Sequence, residues 1–338
     1  MDLNTVWFLL VAVLITGYAI LDGFDLGVGV IHLFTTKEHD KRVNLNAIGP
    51  VWDGNEVWLL TGGGALFAAF PIVYATVFSG FYLALMLLLL ALILRAVSME
   101  FRGKVDSPTW KKSWDLAFGI GSLLPAILFG VAVGNILRGI PIDKTGAFTG
   151  SFFTLLNPYA ILVGVLSLAM FIMHGAVYLT MKVEQERLAP LKSLINKFWF
   201  IFVLLYIIVT LFTIFEANFL MDGILRNPLF YIFFVLLLAS IVYLPVSVQT
   251  EKFGRAFISS SIVIASMIGI MAVSLFPRLV PSITDLAYSL TIYNASSSQR
   301  TLLTMLIIAL IGMPLVLIYT IVIYRTFRGK VVIEEDSY

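Results

Sequence analysis

Residues 6–34, VWFLLVAVLITGYAILDGFDLGVGVIHLF, form one long and mainly apolar run. It is longer than the roughly 20 residues that a helix needs to cross a bilayer. It nevertheless contains two carboxylates, Asp22 and Asp25. A charged carboxylate at the centre of a membrane helix costs roughly 2.5–3.5 kcal/mol on insertion scales. The run therefore predicts a transmembrane helix that retains its two aspartates for a specific reason.

The composition extends this prediction to the whole chain of 338 residues. It is 60% hydrophobic and 12% charged, whereas soluble domains are about 25% charged. Only helices satisfy their own backbone hydrogen bonds in lipid without closing into a barrel. We therefore predict an all-α integral membrane protein with nine transmembrane helices. The nine apolar segments are 6–34, 47–70, 72–97, 114–137, 158–181, 197–217, 228–249, 256–276 and 301–326.

The distribution of basic residues predicts the orientation. Seventeen of the 22 Lys and Arg residues follow the odd-numbered segments, if Arg95 and Arg102 are assigned to the loop after the third one. Cytoplasmic loops carry the excess of Lys and Arg. The N-terminus is thus predicted outside and the C-terminus in the cytoplasm. The net charge of +2 gives no reason to expect a nucleic-acid partner.

A weak internal repeat predicts the domain organisation. LVAVLITGYAILDG (10–23) aligns with LVGVLSLAMFIMHG (162–175) at six identical positions. This alignment predicts a first four-helix bundle in residues 1–137 and a second in residues 138–277, related by an axis along the membrane normal. Residues 278–338 would then form a peripheral ninth helix and a cytoplasmic tail. Chance similarity is the alternative, because membrane sequences use few residue types.

Four carboxylates are candidates for proton transfer. Asp22 and Asp25 share one helix face because they are three residues apart, and Asp53 and Glu56 have the same spacing in the first turns of the second helix. Carboxylates that converge within a membrane are typical of proton relays. The alternative for Asp53 and Glu56 is stabilisation of a helix N-terminus, where carboxylates favour the dipole.

Aromatic and imidazole side chains give weaker indications. Trp52 and Trp58 flank the second pair of carboxylates, and we expect them in the aromatic belt at the membrane interface. His174 is the one deep histidine, and hydrogen bonding within the bundle is favoured over haem ligation. His32 and His39 are expected at the cytoplasmic interface.

The remaining polar residues and the missing cysteines narrow the chemistry. Asp115 and Glu100 lie near helix ends, where we expect them to be solvated. The chain has no cysteine, which excludes thiolate catalysis, disulfides and cysteine-ligated iron–sulfur or zinc centres. We predict no metal ligands and no catalytic residue in this chain.

Long segments of the chain resemble one known family. GYAILDGFDLGVG (17–29) and GPVWDGNEVWLLTGGGALFAAFP (49–71) are similar to the two most distinctive segments of subunit II of the cytochrome bd-type quinol oxidases. Further support comes from FSGFYLALMLLLLALILRAVSMEFRGK (78–104), LLNPYAILVGV (155–165) and YNASSSQRTLLTM (293–305). The resemblance extends in the same order from the first helix to the last.

This resemblance implies a function that the composition does not show. The family has nine transmembrane helices, and its complex oxidises quinol, reduces O2 to water and translocates charge across the bacterial cell membrane. Subunit I ligates two b haems and one haem d and holds the quinol-binding loop. Subunit II supports it and contributes a cytoplasmic proton path and an apolar route for O2. The positions that match are Asp25, Trp52 and Asp53, and Asp22 and Glu56 share the same motifs.

The implied partners are subunit I in a heterodimer, a small single-helix third subunit, membrane lipid and quinone. Two other interpretations stay open at this point. A proton-coupled secondary transporter without haem would also use repeated bundles and intramembrane carboxylates. A purely structural subunit would use the carboxylates only to fix packing or helix ends.

Overall fold

The computed structural model describes residues 2–333, and these residues are almost entirely helical. Short 3-10 turns and one two-stranded antiparallel sheet connect the helices. In chain order the elements are α1 (Leu3–Leu33), α2 (Glu38–Ile48), α3 (Trp52–Ala69), α4 (Pro71–Gly80), α5 (Tyr82–Arg102), α6 (Pro108–Arg138), α7 (Pro158–Thr180), α8 (Leu188–Glu216), α9 (Pro228–Gln249), α10 (Phe253–Leu275), β1 (Arg278–Val280), β2 (Leu290–Thr291) and α11 (Gln299–Thr326).

The apolar helices confirm the predicted all-α membrane fold. Between residues 2 and 333, eight helices are long and apolar enough to cross a membrane, and the bent pair α3–α4 would be a ninth span. The side of the membrane on which each terminus lies stays a prediction. The division into two bundles is likewise a prediction.

The region of the second and third predicted helices differs from the sequence-based boundaries. Predicted segment 47–70 begins at the end of α2, a short polar helix, and its membrane helix begins only at Trp52. The chain then bends by 120° between α3 and α4. Pro71 is the first residue of α4, and a proline disfavours helical geometry in the residue before it. The predicted third helix, 72–97, is therefore two helices, α4 and α5, separated at Phe81.

The core lies where α1 and α7 cross. A Cβ atom on Gly27 would lie 1.9 Å from the carbonyl oxygen of Phe171, and one on Gly175 would lie 2.6 Å from the backbone nitrogen of Val28. Small residues allow such close backbone approach between membrane helices. Phe24 then stacks on Tyr178 with 3.9 Å between the ring centroids. The two helices that carry the predicted repeat thus pack directly against each other.

The outer helices are far less enclosed. In α7, 78% of the most apolar window is buried within the chain, whereas in α11 none of it is. Helix α11 contacts mainly α1 and α3. Its predicted place outside two four-helix bundles stays a prediction.

Candidate functional site

The two intramembrane aspartates of α1 lie against a buried arginine from α5. Arg95 donates from Nη1 to Oδ2 of Asp22 at 3.0 Å and from Nη2 to Oδ1 at 2.5 Å. The side chains of Asp22 and Arg95 are 0% exposed. Such a paired, bidentate contact offsets part of the large cost of burying both charges. Asp22 is therefore held in place as the counter-ion of Arg95.

Two further carboxylates share the same guanidinium. The nearest Asp25 oxygen lies 3.9 Å from Nη2 of Arg95, and Oε1 of Glu56 lies 3.7 Å from Nη1. Asp25 is 0% exposed, whereas the Glu56 side chain is 23% exposed. Full ionisation would bury more negative than positive charge, which is strongly unfavourable in a low-dielectric interior. We call Asp22, Asp25, Glu56 and Arg95 the Arg95 cluster. Because of this charge imbalance, the cluster favours bound protons on its carboxylates.

Asp25 is oriented by a hydrogen-bonded chain from two other helices. Nδ2 of Asn55 donates to Oδ2 of Asp25 at 2.7 Å and to the carbonyl oxygen of Leu21 at 3.1 Å. The hydroxyl of Tyr324 donates to Oδ1 of Asn55 at 3.0 Å. Helices α3 and α11 thereby fix the position of Asp25, which accepts no hydrogen bond from Arg95.

Several buried polar atoms belong to this region and make no hydrogen bond to the described part of the chain. They are the Tyr18 hydroxyl, Oδ1 of Asp25, Oε1 of Glu56, Nε1 of Trp58 and Nε of Arg95. Buried polar groups are normally satisfied by protein or by ordered water. The Arg95 cluster therefore has binding capacity for water or protons that its own side chains do not use.

Three other residues of the second motif, Asp53, Trp52 and Trp58, lie outside the Arg95 cluster. Asp53 is exposed in the first turn of α3, outside the Arg95 cluster, where a carboxylate favours the helix dipole. Trp58 is 7% exposed, and its ring fills the space beside Gly17, where a Cβ atom would lie 2.2 Å from it. The belt interpretation is therefore wrong for Trp58. Trp52 is half-buried and packs against the central core.

The deep histidine is fully engaged within the chain. Nδ1 of His174 lies 2.7 Å from Oγ of Ser260, and Nε2 lies 3.0 Å from the carbonyl oxygen of Ile20. The imidazole also stacks on Phe257 with 4.9 Å between centroids. Neither nitrogen is available for an axial bond to iron without losing a hydrogen bond.

A second ionic cluster closes the ends of α1, α5 and α6, where α2 folds across them. Asp115, which is 6% exposed, lies 2.7 Å from Nε2 of His32, 2.8 Å from Nζ of Lys41 and 2.5 Å from Nε of Arg102. Arg102 also bonds Glu38 at 2.9 Å. The expectation that Asp115 is solvated is wrong, because its carboxylate is enclosed by three basic side chains. His32 is buried within the chain, and its depth in the membrane stays a prediction. Glu100 is exposed, as expected.

Neither of the two buried histidines presents an exposed nitrogen to a haem iron. His32 is 0% exposed, with its ring edge-on to Phe118 at 5.1 Å, and His174 has both nitrogens engaged. Within residues 2–333, no group of three or more His, Cys, Asp or Glu side chains could hold a metal ion. We therefore assign no reaction step of this chain to a haem or metal of its own.

Three residues of the candidate site were not predicted from the sequence, namely Arg95, Asn55 and Tyr324. Arg95 and Arg102 belong to α5 and are buried, so their assignment to a loop is wrong. An arginine within an apolar run was a usable signal, because intramembrane charges are rare and face a partner. Asn55 and Tyr324 are 269 positions apart, and only the packing of α11 on α3 brings them together.

The fold and the site together define a class of protein. It is a polytopic helical membrane protein with a buried, charge-paired carboxylate cluster, and such intramembrane ionisable groups mark ion or proton pathways. The chain belongs to the family described as cytochrome bd terminal oxidase subunit II, whose sequence model matches residues 3–327.

Individual relatives agree over nearly the full length. The chain is 38% identical to "Probable cytochrome oxidase subunit 2" of Haemophilus influenzae, covering 97% of this chain and 95% of the relative. It is 38% identical to "Cytochrome bd ubiquinol oxidase subunit 2" of Bacillus subtilis, with 98% and 97% covered. It is 35% identical to "Cytochrome bd-I ubiquinol oxidase subunit 2" of Escherichia coli, with 98% and 96% covered.

A solved structure has the same fold. A chain of the bd oxidase from Geobacillus thermodenitrificans superposes with a TM-score of 0.81, covering 97% of this chain and 99% of that chain. The sequence identity is 17%, so this likeness concerns the fold alone.

Proposed function

We propose that this chain, as a subunit of a membrane-bound quinol oxidase, delivers protons through Asp25 and Glu56 towards the oxygen-reducing centre of its complex. Membership of the cytochrome bd subunit II family makes it a multi-pass membrane subunit of a quinol oxidase, and implies a subunit I partner. The observation that carries the proton path is the sharing of one buried guanidinium by three carboxylates. Such a cluster can hold a proton without burying excess charge.

The carboxylates have different roles in this proposal. Both oxygens of Asp22 are engaged by Arg95, which makes Asp22 the fixed counter-ion. Asp25 and Glu56 each have a buried oxygen without a hydrogen-bond partner among the described residues. These free oxygens are the positions where a proton can bind and leave. Asp25 and Glu56 are therefore the proposed proton carriers.

The exposure of the carboxylates supports a direction of transfer. Asp53 is exposed, the Glu56 side chain one turn later is 23% exposed, and Asp25 is fully buried. A proton taken up at Asp53 would reach Asp25 through Glu56 and bound water. On the predicted topology the exposed end faces the cytoplasm, the side from which oxygen reduction would draw protons.

The haems of the complex supply the electron transfer and the oxygen chemistry, and we propose that subunit I holds them. Oxygen reduction to water consumes four protons and four electrons for each O2, so the rate of proton delivery can limit turnover. From the family resemblance we also propose an apolar route for O2 through this subunit and a small third subunit. The haem-free transporter is not favoured, because all the relatives described are cytochrome oxidase subunits.

The proposal is tested by quinol-dependent O2 consumption of the purified complex carrying Asp25→Asn. This variant keeps the size of the side chain but removes proton exchange. A relay carboxylate contributes to proton transfer as a general acid–base does, so turnover should fall by about 100-fold. The reduced-minus-oxidised haem spectrum should be unchanged. Asp222→Asn, an exposed aspartate outside the cluster, is the matched control, and equal turnover of both variants would contradict the proposal.

A further inference from the structure

A groove between α9 and α10 lies away from the Arg95 cluster, close to the turn that joins these two helices. Its volume is about 280 Å³. Tyr243 and Ile258, two of its lining residues, are 40% and 59% exposed. Both helices are long and apolar enough to cross the membrane. The groove therefore opens on a lateral surface that faces lipid or another membrane-embedded chain.

Two serines that line the groove are buried but unpartnered. Ser240 is 7% exposed and Ser259 is 4% exposed. Neither hydroxyl makes a hydrogen bond within residues 2–333, whereas Ser247 and Ser260 on the same two helices donate to backbone carbonyls at 2.7 and 2.9 Å. A serine inside a membrane helix normally satisfies its hydroxyl in that way. The hydroxyls of Ser240 and Ser259 are thus available to an oxygen-bearing ligand.

The end of the groove nearest the turn is positively charged. Arg255 lines it and has no ion pair or hydrogen bond to the described residues from its side chain. Helix α10 begins after Lys252 with no side-chain cap and no acidic residue in its first turn. The neighbouring Glu251 is engaged by Nζ of Lys192 at 2.6 Å. The helix dipole and the guanidinium of Arg255 therefore attract an anion to this end.

Polarity changes in a fixed order along the groove. Arg255 lies in the first turn of α10, Ser259 one turn further on, and Ile262 almost one turn beyond that. At 1.5 Å per residue, the distance from Arg255 to Ile262 is about 10 Å. The sequence of cation, hydroxyl and apolar side chain matches the sequence of phosphate, ester and acyl chain in a glycerophospholipid.

We propose that the groove between α9 and α10 is a specific site for one anionic glycerophospholipid. Arg255 binds the phosphate, Ser240 and Ser259 donate to the ester oxygens, and an acyl chain lies along Ile258 and Ile262. A free phosphate would satisfy only the charged end and would leave the apolar walls uncovered. The site is independent of the proton path, because none of its residues belongs to the Arg95 cluster.

The test uses the intact detergent-purified complex and a photoactivatable phosphatidylglycerol, followed by mass spectrometry of the labelled peptides. The expected label is on peptides from α9 and α10. One basic residue near the membrane surface contributes about 1 kcal/mol to binding of anionic lipid. Arg255→Gln should therefore raise the lipid concentration needed for half-maximal labelling about fivefold. Arg255→Lys keeps the charge and should restore most of the labelling.

The matched control is Arg328→Gln, which removes one exposed arginine after α11 that has no ion pair with residues 2–333. It should label as the unmodified complex does. Excess unlabelled phosphatidylglycerol should compete, and inorganic phosphate should not. Equal labelling of the Arg255→Gln and Arg328→Gln complexes, label confined to other helices, or displacement by inorganic phosphate would each overturn the proposal. Turnover of the Arg255→Gln complex reports separately on the proton path, which should be unaffected.

Discussion

Arg95 holds Asp22 by two parallel hydrogen bonds in a position from which both side chains are completely shielded from solvent. This pair explains how α1 tolerates a carboxylate in an apolar run, because the guanidinium from α5 compensates its charge. Asp25, three residues later, has no such clamp, and its Oδ1 makes no hydrogen bond to the described residues. The two aspartates of one motif are therefore held in different ways.

The first prediction concerns the ion pair itself. Arg95→Gln leaves Asp22 buried without its counter-ion, and breaking a buried pair in this way costs about 3–5 kcal/mol. We expect a clear fall in the thermal unfolding temperature of the purified complex. The double variant Arg95→Gln with Asp22→Asn removes both members of the ion pair, so Asp22 is no longer a buried charge without a counter-ion, and it should recover part of the loss. A double variant no more stable than Arg95→Gln would contradict the role of Asp22 as counter-ion.

The second prediction compares the exposed carboxylate of Asp53 with the half-buried carboxylate of Glu56. Water can replace an exposed proton acceptor but not one enclosed by protein. Glu56→Gln should therefore lower the rate of quinol-dependent O2 consumption by about 10-fold or more. General acid–base contributions begin at about 100-fold, so this effect lies at or below the lower end of that range. Asp53→Asn should retain most of the rate. The reverse order of effects would show that Asp53, and not Glu56, is the essential carrier.

The third prediction concerns the chain from Tyr324 through Asn55 to Asp25. Tyr324→Phe removes one hydrogen bond and leaves Oδ1 of Asn55 unpaired, at a cost of about 1–3 kcal/mol to stability. Turnover should also fall, because Asn55 then orients Asp25 less well. Tyr319→Phe on the same helix is the control, since Tyr319 is 56% exposed and makes no hydrogen bond to the described residues. Identical melting curves for the two variants would refute this account of α11.

The fourth prediction concerns the crossing of α1 and α7. Gly27→Ala places a methyl group against the backbone carbonyl of Phe171, which cannot move aside as a side chain can. We expect little or no assembled complex in size-exclusion chromatography of detergent-solubilised membranes. Gly312→Ala on α11 meets no atom within 4 Å and should assemble normally. Normal assembly of the Gly27→Ala protein would mean that the two helices can separate without loss.

The sequence predicts the membrane helices and the two aspartates of α1 well, because apolar length and an isolated charge are local signals. The bend before Pro71 is also local, since proline restricts the residue that precedes it. Two features have no local signal in the sequence. The break at Phe81 depends on how α4 packs, and the enclosure of Asp115 depends on how α2 packs. The position of Arg95 in an apolar run is a local signal for a buried partner, but Arg95 was assigned to a loop, and only the fold shows that its partner is Asp22 on α1.

The most direct test of the central claim is proton uptake by the complex in proteoliposomes. The fully reduced complex is mixed with O2, and a pH-sensitive dye on the predicted cytoplasmic side reports proton consumption. We expect Asp25→Asn to slow proton uptake by about 100-fold, while haem reduction by quinol and the initial binding of O2 keep their normal rates. Proton uptake at the normal rate in a spectroscopically intact Asp25→Asn complex would contradict the proposed proton path.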